Sequence, residues 1–152
     1  IFTYANSDRD GKIINTMIDE FVRQNSHRAV AFASLGQLRY LSALQFMDAV
    51  VGNSSSGLIE APSFNIGTIN IGERQKGRIK APSVIDCDPT RRSISQALTK
   101  LYTAEFQESL KSVQNPYGDG CASEKIVEVL NSIDLNNLIK KRFYDLASCS
   151  IK

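Results

Sequence analysis

The sequence predicts an α/β fold built on a doubly wound parallel sheet. Two observations predict it. Short runs rich in β-branched and aromatic residues alternate with segments of helical period along the whole chain, and about 10–15 residues of helical pattern between strands are what parallel βαβ units require. Their crossovers are expected to be right-handed.

The elements follow in order. Ile1 to Tyr4 reads as a strand. Gly11 to Gln24 places Ile14, Met17, Ile18, Phe21 and Val22 at the helical period;. Arg28 to Ala33 is a second strand. Gln37 to Phe46 is helical, carrying Leu38, Leu41 and Leu44 together with Tyr40. Asp48 to Gly52 and Thr68 to Gly72 are the third and fourth strands, separated by a Ser/Gly turn and a short helix covering Ser56 to Pro62 at most. Ser83 to Asp86 is a brief fifth strand. Helices are expected over Pro89 to Leu101, Ala104 to Ser112, Cys121 to Asn131 and Leu135 to Leu146. Residues 1–134 read as one domain. The mostly polar helix within 135–152 has little reason to fold back on its sheet.

Composition narrows the function classes. The formal net charge is only +2, with Lys and Arg scattered among the acids. Such a balance argues against a nucleic-acid partner held by a basic face, so any phosphate site is expected to be local. No apolar stretch approaches the ~20 residues that cross a bilayer, so no membrane partner is expected, and the opening residues do not read as a signal peptide. Cys87, Cys121 and Cys149 lack paired or metal-like spacing; lone cysteines suit a reducing compartment and predict a cytoplasmic protein without a metal. Because Ile1 opens the chain inside a strand, residues 1–152 are expected to be part of a longer protein, a processed mature chain being the other reading.

Open parallel sheets bind ligands at the carboxyl ends of their strands. The segment that follows the third strand, Gly52-Asn53-Ser54-Ser55-Ser56-Gly57-Leu58-Ile59-Glu60, is the most informative one. Its hydroxyls, small residues and helix start can cradle a phosphate or diphosphate. Glu60 shares a helix face with Ser56, where a carboxylate can accept bonds from two ribose hydroxyls. The alternative is that the serines cap the helix and Glu60 merely favours its first turn.

Gly72-Glu73-Arg74-Gln75-Lys76-Gly77-Arg78 follows the next strand. Its cations can hold a diphosphate, or form a solvated basic turn. Asn6, in Asn6-Ser7-Asp8, is a helix cap or a polar ligand contact;. Tyr40 is a core residue or a stacking platform for a base. His27, the only histidine, precedes a strand at the amino edge, so no evident general base remains in this chain. Asn115-Pro116-Tyr117-Gly118-Asp119-Gly120 is a turn and helix-start signal, structural punctuation by itself, with a ligand role as the second reading;.

Taken together, GNSSSGLIEAPSF (52–64), INIGERQKGR (69–78), NPYGDG (115–120) and TYANSD (3–8) resemble the C-terminal half of the UDP-N-acetylglucosamine 2-epimerases. GNSSSG with GERQKGR is the form of the hydrolysing branch, whereas the other branch carries a Ser-Gly-Gly version. The resemblance implies a Rossmann-like domain, the C-terminal half of a two-domain GT-B-type architecture whose first strand and N-terminal domain lie outside residues 1–134. It implies that the 135–152 helix crosses to that other domain, and that UDP and a UDP-N-acetylhexosamine substrate bind in the cleft. By position it implies diphosphate binding by Ser54 and Ser55, ribose binding by Glu60, phosphate binding by Arg74, uracil packing on Tyr40 and a polar contact from Asn6.

The implied reaction is elimination of UDP to 2-acetamidoglucal, then addition of water with inversion at C2. Its catalytic residues are expected in the N-terminal part, with no cofactor, and the chain alone is expected to be inactive. A glycosyltransferase donor domain and a non-catalytic UDP-binding module are the alternatives, and homo-oligomerisation is possible. Gly67 departs from a proline common in the family, with only a local loop effect expected.

Overall fold

The computed structural model describes residues 1–5, 10–134 and 136. Every strand pair in it is parallel. β1 (Phe2–Thr3) pairs with β2 (Ala31–Phe32). β3 (Ala49–Gly52), β4 (Gly67–Ile71) and β5 (Val84–Cys87) form a second ladder in that order. α1 (Gly11–Gln24) connects β1 to β2, and α2 (Gly36–Leu44) connects β2 to β3. α3 (Ser56–Ile59) and a 3₁₀ turn (Ala61–Phe64) lie between β3 and β4, while α4 (Arg91–Leu101) and α5 (Ala104–Leu110) follow β5.

The α/β class and the parallel direction are as the sequence predicts. The strands fall into two ladders, however, because no described residue pairs β1 with β3. Each of those strands therefore keeps one edge unpaired among the described residues.

The core lies around β4. Alternate residues of a strand point to opposite faces, and the three-stranded ladder uses both. On one side Ile69, Ile85, Ala97, Leu101, Phe106 and Leu110 pack together, with Ala49 and Ile71 against them. On the other, Leu44, Ala61 and Ile66 pack with Leu41, Val50 and Phe64. Helices thus cover both faces of β4, the arrangement of a doubly wound sheet. Burying each of the larger side chains contributes about 1.5–3 kcal/mol relative to exposure.

Gly67 is not a loop residue. It opens β4 and is buried, and a Cβ built on it would lie 2.3 Å from Leu101 Cδ1 and 3.2 Å from Phe106 Cε1. A side chain here would press on the core, which corrects the expectation of a purely local loop effect.

Around β1 and β2 the packing is thinner. Ile18 and Val22 of α1 are half-buried, but Ile14, Met17 and Phe21 of the same apolar stripe are exposed. Phe21 meets Phe2 edge to face at 5.6 Å. β2 is shorter than its apolar run suggests, because the N–H groups of Arg28 and Ala29 close a turn onto the Asn25 carbonyl.

The chain divides after Gly118. The second unit contains α6 (Ala122–Ser132), with Ile126, Val127, Val129 and Leu130 exposed. The helix expected over Leu135 to Leu146 lies outside the described residues, apart from Asn136.

Candidate functional site

β3 and β4 run side by side with Gly52 opposite Asn70, so the segments that leave them emerge at one edge of the ladder. The first passes through Asn53, Ser54 and Ser55 into α3. Ser54 Oγ accepts a hydrogen bond from the Ser56 N–H at 3.3 Å. The Ser55 carbonyl accepts from the Leu58 and Ile59 N–H groups, both at 3.0 Å.

α3 is a single turn, because Pro62 has no N–H with which to extend it;. One turn carries little macrodipole. Anion binding here would therefore fall to the serine hydroxyls and nearby N–H groups, a shift from the helix-terminus cradle that the sequence suggested.

The turn lies directly on β4. Thr68, which is buried, donates its hydroxyl hydrogen to the Gly57 carbonyl at 2.7 Å. A Cβ at Gly57 would lie 2.5 Å from Thr68 Cγ2, so only glycine fits this approach;.

Glu60 stands one turn after Ser56, its N–H bonded to the Ser56 carbonyl at 2.9 Å. From α2, Tyr40 reaches the same place and its hydroxyl hydrogen-bonds Ser56 Oγ. Burial pushes the Tyr40 phenol up, the Ser56 bond pulls it down, and the Glu60 charge pushes it up again, leaving it above its usual 10.0. The phenol is therefore neutral at physiological pH. Tyr40, Ser56 and Glu60 form one half-buried cluster beside Ser54 and Ser55.

The second segment begins at Gly72, whose φ of +78° turns the chain after β4 while its N–H bonds the Cys87 carbonyl at 2.8 Å;. Gln75 is only 3 % exposed and donates from Nε2 to the Asn53 carbonyl at 2.7 Å. This bond ties the basic loop to the serine loop. Its Oε1 is buried without a hydrogen-bond partner among the described residues. Arg74, Lys76 and Arg78 are exposed, and Lys76 pairs with Glu73 at 3.7 Å.

Behind the loop, Lys80 Nζ bonds both oxygens of Asp86 at 2.7 and 2.8 Å, and Asn70 Nδ2 donates to Asp86 Oδ1 at 2.7 Å. Partial burial pushes the Asp86 carboxyl up, but these partners outweigh it and hold it below its usual 3.8;.

Asn6 lies outside the described residues. The preceding Ala5 is pinned to α1, its N–H bonded to Asn15 Oδ1 at 2.8 Å and its carbonyl to Asn15 Nδ2 at 3.3 Å. His27 is exposed in the turn before β2, at the amino end of that strand.

Sequence reasoning missed two contributions to the site's shape. One is Gln75, whose signal was a neutral amide set between Arg74 and Lys76. The other is the turn at Asn115 to Gly118. Asn115 Nδ2 donates to the Ile59 carbonyl at 2.8 Å and to Ser63 Oγ at 2.7 Å, and the Tyr117 hydroxyl donates to the Ile79 carbonyl at 3.0 Å. No local pattern announces partners so far away in the chain.

Fold and site together define a parallel α/β domain that presents hydroxyls, a carboxylate and guanidinium groups from two adjacent loops at the carboxyl edge, the usual place for a nucleotide in such sheets. The family model described as UDP-N-acetylglucosamine 2-epimerase matches residues 1–131, and the chain belongs to this family.

Among its relatives, the GDP/UDP-N,N'-diacetylbacillosamine 2-epimerase (hydrolyzing) of Campylobacter jejuni is 41 % identical over 96 % of this chain and 38 % of its own length. The polysialic acid biosynthesis protein P7 of Escherichia coli is 34 % identical over 99 % of this chain and 38 % of its own length. The UDP-N,N'-diacetylbacillosamine 2-epimerase (hydrolyzing) of Legionella pneumophila is 37 % identical over 88 % of this chain and 34 % of its own length. The chain thus spans little more than a third of the length of these curated relatives.

Proposed function

We propose that this chain supplies the UDP site of a hydrolysing UDP-sugar 2-epimerase. The observation that carries the reading is the joining of the serine loop to the basic loop through Gln75, beside the Tyr40–Ser56–Glu60 cluster. In this reading Ser54 and Ser55 hold the diphosphate with nearby N–H groups, and Arg74 adds a guanidinium to it. Glu60 accepts the ribose hydroxyls, Tyr40 packs against uracil, and Asn6 adds a polar contact. The substrate is a UDP-2-acetamido sugar: UDP-N-acetylglucosamine or a bis-acetamido deoxy sugar of the kind named in two of the relatives.

The reaction removes the proton from C2 and breaks the C1–O bond to UDP, giving the 2-acetamidoglucal. Water then adds with inversion at C2 to release the free sugar. Hydroxyls, N–H groups and a guanidinium around the diphosphate stabilise the charge that develops on the leaving group. The acid and base at the sugar come from the rest of the protein. The names of the Campylobacter and Legionella relatives support the hydrolysing branch. The edges of β1 and β3 that are unpaired among the described residues, and the exposed stripe of α1, support a further strand and domain covering this one.

The test is calorimetric titration of UDP into the full-length protein and its Ser55→Ala and Glu60→Gln variants. Each lost bond to a charged group should cost about 1.5–3 kcal/mol, a tenfold or greater weakening. UDP affinity equal in all three proteins would sink the assignment of these residues.

A further inference from the structure

The turn formed by Asn115 to Gly118 is distant in sequence from both ligand loops, yet its two polar side chains each reach one of them. Asn115 uses its whole amide. Oδ1 accepts the Tyr117 N–H at 2.9 Å, which shapes the turn itself, while Nδ2 reaches across to the Ile59 carbonyl and Ser63 Oγ. The amide orientation is fixed by these partners, since the flipped form would set oxygen against the Ile59 carbonyl. Ile59 ends α3, where a carbonyl lacks a partner inside the helix. The two contacts sit on either side of Glu60, holding the backbone carbonyl just before that carboxylate and the Ser63 side chain after it.

Tyr117 acts on the other loop. Its hydroxyl holds the Ile79 carbonyl, just past Arg78, while Gln75 fastens the same loop from within to Asn53. Left to themselves, a one-turn helix and an exposed basic loop have few contacts to hold a ligand geometry. Both segments are instead fastened to a single turn.

We infer that Asn115 and Tyr117 are positioning residues of the nucleotide site, Asn115 setting Glu60 and Tyr117 setting the basic loop. The inference rests on the UDP reading above and extends it to residues that need not touch the ligand. Asn115→Asp separates its two roles, keeping the acceptor that shapes the turn but facing the Ile59 carbonyl with a second acceptor. Tyr117→Phe removes only the hydroxyl.

UDP titrations of the full-length protein test this, with a double-mutant cycle against Glu60→Gln. Asn115→Asp should weaken UDP about three- to tenfold, a range typical of one or two hydrogen bonds. In the Glu60→Gln background the same change should cost less than about twofold, because the group it positions is already impaired. Tyr117→Phe should weaken UDP about two- to fivefold whether or not Glu60 is intact. Thermal midpoints identify loss of fold; if Asn115→Asp does not fold, Ser63→Ala takes its place in the cycle. A parent protein that does not bind UDP overturns the site itself. A parent that binds, with variants that bind equally well or with an Asn115 effect undiminished by Glu60→Gln, overturns the positioning role alone.

Discussion

Replacing Gly57 with alanine tests how tightly the serine loop is laid on the sheet. The added Cβ would stand 2.5 Å from Thr68 Cγ2 and 3.3 Å from Thr68 Oγ1, whereas ordinary contacts lie at 3.4–4 Å. An overlap of about 1 Å must be relieved by movement. Thr68 has little room to give way: it is β-branched, 2 % exposed, in the central strand, and bonded to the Gly57 carbonyl;. The alternative is to lift α3, which carries Ser56 and leads into Glu60.

Overpacking of this kind costs about 1–3 kcal/mol. In a domain of this size each kcal/mol lowers the thermal midpoint by roughly 2–4 °C. Gly57→Ala should therefore melt several degrees below the parent. Thr68→Ser removes the offending methyl and keeps the hydroxyl, so Gly57→Ala/Thr68→Ser should recover part of the loss, a coupling visible in a double-mutant cycle of denaturant midpoints. Strict additivity of the two changes, or a Gly57→Ala protein as stable as the parent, would refute the close approach.

At Gly67 an alanine would meet Leu101 Cδ1 at 2.3 Å and Phe106 Cε1 at 3.2 Å, both in the buried core, so it too should cost about 1–3 kcal/mol by denaturant midpoint;; a Gly67→Ala protein as stable as the parent would contradict the packing described. The Lys80–Asp86 pair predicts a pH dependence. Because the folded carboxyl titrates below its usual 3.8, its stabilisation is complete above that value and is lost as pH falls through the folded one;. The pair is partly exposed, which limits it to less than about 1 kcal/mol. The stability gap between the parent and Lys80→Met should thus be constant from about pH 5 to 7 and narrow progressively as pH falls below the usual 3.8;. A gap unchanged at pH 3 would exclude the pairing as its source.

Much of this was legible before the structure. The helical period placed α1 at Gly11–Gln24, because its apolar residues recur over four turns. Adjacency of the serine loop and the basic loop followed from the carboxyl-edge rule, once Asp48 to Gly52 and Thr68 to Gly72 were read as parallel strands;. Short elements were less legible. The apolar run Arg28 to Ala33 holds only two strand residues, since pairing with β1 is confined to Ala31 and Phe32. α3 stops early because of Pro62. Gly67 looked like loop because a glycine's small size says nothing of which side chains lie over it. The tethers of Asn115, which span 52 and 56 residues, depend on tertiary packing that no local pattern encodes.

Among the described residues β1 and β3 each keep one edge unpaired, which bears on how such a polypeptide behaves in concentrated solution. A bare strand edge is a row of amide donors and carbonyl acceptors that will accept another strand, and proteins usually guard it with charge or proline. β1 is Phe-Thr and β3 is Ala-Val-Val-Gly, with neither guard inside the paired stretch. Prepared on its own, the domain should associate edge to edge at high protein concentration, and a lysine placed at Val51, itself exposed, should keep it dispersed.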